Sequence, residues 1–537
     1  TETPEIGIPS PSAPTEDVRV PGVPPLGLSN AVSETSFLAI DRTRVQDWNR
    51  DEQLITLRPD SASRAATLIS VESDRYSGVF NTRGGVITSW RLKAYQGLND
   101  PWVELVPEGR GGGPDLFIAS ENGVIDFSQV IFEASVSDLQ INESRPVGSI
   151  QFTYTDKSGL SIVKRYTFTR DDYAVKLDVS LLGTQNAALG NKYFLRWGGG
   201  INITEPNSDL DLYEFRTFRY VGDEVDEQDI GSEELEVKPL TGITRWVGVR
   251  SKYFFIGIAP EERTGVGSLL SARPVNSPSG SNRHLSAEID MARSSDVRDS
   301  FVLYFGPVDY NTLLSYGNHF EEVVNLGWPV ISFFSYYILI AMIWLHQWIS
   351  NYGTVIIVLS VIVKIILYPL TFKSMQSMQN MQKVQPKMEE LRTKYKNDAK
   401  KLQQEMMKLY REHGVNPVGG CLPMLLQMPI LFALYSIFNS TIELRREPFI
   451  EGWITDLSQA DPYYIMPVLM GLSMLVQSKM TMKDPRQVAF VYVMPVVLIY
   501  FMSTMSSGLV LYWTMVNLLT IIQQLLQNRY MPAPTTT

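Results

Sequence analysis

The sequence predicts a multi-domain chain, an all-β sandwich followed by an α-helical core of five membrane-spanning helices. Three observations carry that expectation. Between about 65 and 308, apolar and polar residues alternate in short runs. From 354 onward, apolar residues gather into stretches near the ~20 residues that cross a bilayer as a helix. Charge divides near the same place: residues 1–325 hold 30 lysines and arginines against 46 acids, whereas residues 326–537 hold 17 against 11. At 537 residues a single core is not expected.

Taken in order, residues 1–60 open with seven prolines in the first 25 positions (PSPSAP, VPGVPP), a composition that predicts a disordered linker. Residues 61–310 contain ATLISVES, GVITSWRL, SIVKRYTFTR, YAVKLDVSLL, YFFIGIAP and SFVLYFG. This period-2 patterning, broken by Gly, Asn and Asp, predicts an antiparallel sandwich, with Trp246, Tyr253 and Phe254 in its core. The single cysteine, Cys421, excludes an intrachain disulfide. The four histidines are scattered without metal-ligand spacing, and neither GxxxxGK[ST] nor GxGxxG occurs. No cofactor, metal or direct nucleic-acid site is expected.

The five predicted spans are 354–371, 422–442, 463–478, 488–505 and 507–525, within a core of 351–530. A further apolar segment, 329–349, within 326–350, has no charge and is rich in aromatics (Phe333, Phe334, Tyr336, Tyr337, Trp344, Trp348). It reads either as a sixth span or as a helix lying at the headgroup boundary. Residues 372–415 hold ten lysines and arginines against five acids and read as two helices around KND; the 479–487 loop adds Lys479, Lys483 and Arg486. The positive-inside bias places both segments, and the C-terminus, in the cytoplasm.

Inside the first span stands Lys364, with Ser360 and Tyr368 four residues away on either side and Thr371 continuing that face. A cation at that depth costs roughly 2.5–3.5 kcal/mol on insertion scales. It either snorkels to the headgroups or sits in a wet groove. Gln427, Asn517, Thr520 and Gln524 place polar groups in other spans, and no span holds an acid, which favours a shared groove. Met375, Met378 and Met381 recur every three residues, a soft stripe suited to plain packing or to varied apolar segments.

YPLTFKSMQSM, QPKMEELR, VNPVGGCLPMLLQMPI, DLSQADPYYIMPVLMG and SGLVLYWTMVNLLTIIQQ together resemble the core of the YidC/Oxa/Alb membrane protein insertases. NTRGG and RDDYAV resemble the periplasmic domain of the Gram-negative branch. The resemblance implies a non-enzymatic insertase of the inner membrane with a periplasmic super-sandwich, an interfacial helix at 329–349, five core helices and a cytoplasmic hairpin. It also implies that the first transmembrane segment, which the family carries upstream of the linker, is absent here. It places Ser360, Lys364, Gln427, Asn517 and Thr520 in the hydrophilic groove, and Leu431, Met470, Phe501, Tyr512 and Trp513 on an apolar slide for substrate. Nascent membrane proteins, the Sec translocon with its accessory subunits, the ribosome and anionic lipids are the implied partners. The family's positive position in the first core helix is often Arg where this chain has Lys364, and the MPAPTTT end lacks a long basic tail.

A transporter or channel with a cationic groove is the alternative from the residues alone, although no inverted repeat is visible among the spans. A sugar-processing β-domain lacks a distinguishable catalytic pair of acids. An intramembrane serine protease at MSSG lacks its upstream glycine, where Met505 stands, and a later histidine.

Overall fold

Alternation becomes pairing in the N-terminal half. The computed structural model describes residues 54–57, 65–109, 111–186, 189–228, 235–277, 280–413, 422–481 and 488–530. Among these, strands form a fifteen-stranded sheet and a five-stranded sheet. Four long neighbours of the large sheet, Val147–Thr155, Ser161–Thr169, Ala174–Leu182 and Val297–Pro307, pair antiparallel. Their register aligns Ile150, Tyr166, Leu177 and Phe301 side by side, all buried. Because strand side chains alternate faces, that register turns every second residue inward.

The small sheet runs in the order Val103–Glu104, Val86–Leu92, Tyr76–Asn81, Leu68–Glu72, Asp138–Gln140. Trp90 stacks on Tyr76 from this sheet and meets Phe305 of the large one, so aromatic contacts join the layers. Trp246, Tyr253 and Phe254 are core residues, as their setting predicts. Residues Leu54–Thr56, which composition assigns to the linker, instead form a strand parallel to Val124–Asp126. Three residues are too short to register as a period against so much proline. Apart from Leu57, the rest of the 1–60 linker and the MPAPTTT tail lie outside the described residues.

Among the described residues, seven helices of fourteen residues or more follow: α1 (Pro329–His346), α2 (Tyr352–Lys394), α3 (Ala399–Glu412), α4 (Leu422–Ser440), α5 (Ile465–Thr481), α6 (Val488–Met502) and α7 (Ser507–Tyr530). Residues 329–346, 352–377 and 507–527 are long and apolar enough to cross a membrane, and Ile465–Met480 and Val491–Met502 are shorter apolar helices. α2 opens on Asn351, whose side chain accepts from the Thr354 amide while its own amide donates to the Pro448 and Phe449 carbonyls. That cap ties the helix to the 448–449 loop.

The sequence places a boundary at 372, but α2 runs unbroken through Pro369 and Pro386 to Lys394. Proline removes one backbone donor per site, and the flanking turns keep the rest of the ladder. The break comes at KND, where Asp398 caps α3 by accepting from the Lys401 amide. α2 and α3 close over Val384, Met388 and Leu409, with Met381 packed beside them.

In the bundle, α7 packs on α2, α4 and α5, α1 packs on α4 and α2, and α6 packs on α5. Val355, Ile356, Leu434, Phe438, Met470 and Tyr512 form its buried centre. Gly471 permits the close α5–α6 approach, since a Cβ there would meet Ile499 at 2.3 Å.

Candidate functional site

Lys364 lies on the side of α2 that faces α7. It is half-buried, and its ammonium donates to the Thr520 hydroxyl at 2.8 Å. The Thr520 hydroxyl in turn donates to the Val516 carbonyl one turn back, at 2.7 Å. The contact is therefore complete on the threonine side and sparse on the lysine side, which has three donors to place. No aspartate or glutamate occurs in 352–377, 422–440, 465–481, 488–502 or 507–530.

The other polar residues expected in the groove divide between seams. Asn517 does not reach Lys364; its amide donates to Ser473 on α5 at 3.1 Å. Ser360 is buried and returns its hydroxyl to Ile356 of its own helix at 2.7 Å. Gln427 on α4 is partly buried and neighbours the Tyr512 hydroxyl of α7. Thr371 joins the Lys364 seam, bonding its own helix while accepting from Gln523 Nε2 at 3.2 Å. Ser473 and Gln523 were not singled out by sequence. The signal for Gln523 is the recurrence of polar positions along α7, at 517, 520, 523, 524 and 527.

Of the apolar slide residues, Phe501 is 54% exposed, Leu431 and Trp513 are partly buried, and Met470 and Tyr512 lie inside the bundle core. The five thus range from exposed to fully buried. On the hairpin, Met375 is buried and Met381 is packed; the Met378 side chain lies outside the described residues.

A second polar centre joins the two halves of the chain. Arg445, in the loop after α4, donates to Glu205 of the sandwich at 2.6 Å, each side chain 2% exposed. It also donates to the Gln96 and Thr204 carbonyls, and its guanidinium lies 5.2 Å from the Phe254 ring centroid. Beside it, Asp211 accepts from the Thr204, Glu205 and Lys252 amides. Burial pushes the Asp211 carboxyl up to about 6. Sequence offered no sign of this junction, because its partners stand 240 residues apart.

A large β-domain bonded to a bundle of apolar helices, with a lysine ammonium on a threonine hydroxyl between two of them, defines a polytopic membrane protein carrying a globular domain outside the bilayer. Two family models match it: "YidC periplasmic domain" over residues 68–341 and "60Kd inner membrane protein" over 344–534. A membrane protein insertase YidC of Chlorobium luteolum is 33% identical over 87% of this chain and 83% of its own. The membrane protein insertase YidC of Geobacter sulfurreducens is 35% identical over 85% of each chain. A crystal structure of an active YidC insertase aligns over 89% of this chain and 95% of its own at 19% identity, with a TM-score of 0.38. The chain belongs to the YidC family of membrane protein insertases, which are not enzymes.

Proposed function

We propose that this chain moves transmembrane segments of nascent proteins from the cytoplasm into the bacterial inner membrane through a polar groove that contains Lys364, alone or beside the Sec translocon. The observation that carries the reading is the Lys364–Thr520 contact, a cation between two apolar helices with a hydroxyl for partner and no acid in any span. Intramembrane charges left so lightly paired mark transport paths.

The energetics fit that reading. An entering helix gains roughly 0.3–0.6 kcal/mol per strongly apolar central residue, so lipid itself drives insertion once the polar flank can cross. A cation part way down draws acidic flanks inward, and the membrane potential acts on their charge at about 2.3 kcal/mol per 100 mV. Lys364 supplies attraction and hydration, with no proton transfer. Leu431, Phe501 and Trp513 offer the entering helix an apolar face, with Met470 and Tyr512 as the packed layer behind it.

Orientation rests on charge and packing. Contacts Lys364–Thr520 and Thr371–Gln523 advance together along α2 and α7, so the two helices run parallel and the end of α7 lies on the side of the basic hairpin. The positive-inside bias makes that side cytoplasmic and the sandwich periplasmic. α1 lies in the periplasmic interface, its exposed stripe of Phe333, Tyr337 and Trp344 at headgroup level. The basic hairpin meets anionic lipids and the ribosome, and the sandwich serves as a docking or chaperone module.

Purified chain in vesicles without Sec components tests the proposal. A short client with acidic flanks should become protease-protected. Ion flux in the absence of client, with no protection of client, would instead make the groove that of a channel.

A further inference from the structure

Below Lys364, the α7 face that meets α2 continues through Gln523 to Gln527, spaced three and seven residues from Thr520. These two glutamines are 8% and 6% exposed, whereas Leu525 and Leu526 beside them are 56% and 50% exposed. The glutamines therefore point inward and the leucines outward. Gln523 spends its amide nitrogen on Thr371, and its Oε1 has no partner among the described residues. Gln527 has none among them at either Oε1 or Nε2. Buried polar atoms are satisfied in nearly all folded proteins, so three open positions in one seam need an account.

Their chemistry and spacing supply one. A primary amide offers both donor and acceptor and carries no charge, which matches peptide backbone rather than any particular side chain. Four residues of helix separate the two amides by about 6 Å. Along an extended chain, groups on the same side repeat every two residues, at about 6.6 Å. Reaching Gln527 requires breaking no hydrogen bond of its side chain, so an entering chain displaces packing alone.

We infer that the α2–α7 seam holds the extended backbone of a client's polar flank through Gln523 and Gln527, whatever the sequence or charge of that flank. Lys364 then selects by charge, and the glutamines hold by backbone. The inference rests on the insertase reading and adds to it a second, charge-blind contact.

The test is the Gln523→Leu/Gln527→Leu variant of the full chain, in vesicles, with clients bearing acidic, neutral and basic flanks. Insertion should slow about fivefold for all three alike, with thermal unfolding unchanged or shifted upward. Wild-type rates, or a loss confined to acidic flanks, overturn the inference. A photoreactive side chain at position 527 should capture the flank of a stalled client, and one at the outward position 526 should not. Equal capture at both positions also overturns it, and this readout does not depend on the double variant folding. Failure of the wild-type chain to insert any client overturns the insertase reading first.

Discussion

Among the cations drawn away from water in this molecule, Arg445 and Lys364 are treated in opposite ways. Arg445 is enclosed by a carboxylate, two carbonyls and an aromatic face. Lys364 has one hydroxyl. An enclosed ion pair has little left to offer a ligand, and it joins the sandwich to the helical core at a fixed place. A lysine with donors to spare stays available to a passing anion. The contrast separates fastening from function without appeal to position alone.

The largest effect should come from Arg445→Ala. It leaves Glu205 buried without its cation and should cost roughly 3–5 kcal/mol, read from chemical unfolding of the full chain in detergent. Replacing both partners, Arg445→Leu with Glu205→Leu, should recover much of that loss. Recovery would identify desolvation, and not missing contacts, as the cost.

The same junction should respond to pH. Asp211 is pushed from 3.8 to about 6 by burial, so the folded chain keeps a proton that the unfolded chain has released between those values. Its contribution to stability is complete below about 4 and is lost as pH rises through about 6. Asp211→Asn should flatten that part of the stability profile, by roughly 3 kcal/mol across the window. An unchanged slope would place Asp211 in a more hydrated setting.

Lys364→Leu should behave differently from any change at Arg445. Removing a lightly paired cation should leave stability unchanged or raise it by up to about 2 kcal/mol, at the expense of insertion. A loss as large as that of Arg445→Ala would erase the distinction between the two sites. Gly471→Ala, a packing control in the α5–α6 contact, should cost about 1–2 kcal/mol by overpacking against Ile499 and should not alter client preference.

These differences also mark what was legible in the sequence. Strands from Leu68 onward and the apolar helices follow from period and run length, because both are local properties. Lys364 and Thr520 could be placed in one polar set in advance, though not paired, because each breaks an apolar run at a depth where polar groups must find company. Asn517 could not be assigned a seam: helical spacing puts it near Thr520, but only packing turns it toward Ser473 on α5. Glu205 and Arg445 resemble any other surface charges in sequence, since their meaning lies in a contact between distant segments. That the helix continues past the span's predicted end at 371, through Pro369 and Pro386 to Lys394, was not legible, because a fall in hydropathy marks where apolar residues stop and not where the backbone ladder stops.

The central claim is that the charge of Lys364, and not its water alone, draws a client's flank into the groove. The direct measurement is a crossed comparison in vesicles, with wild-type and Lys364→Glu chains each given otherwise identical clients with acidic or basic flanks. The account predicts an exchange of preference: wild type inserts the acidic-flanked client about tenfold faster than the variant does, and the variant gains on the basic-flanked one. Equal rates for both chains on both clients would contradict it.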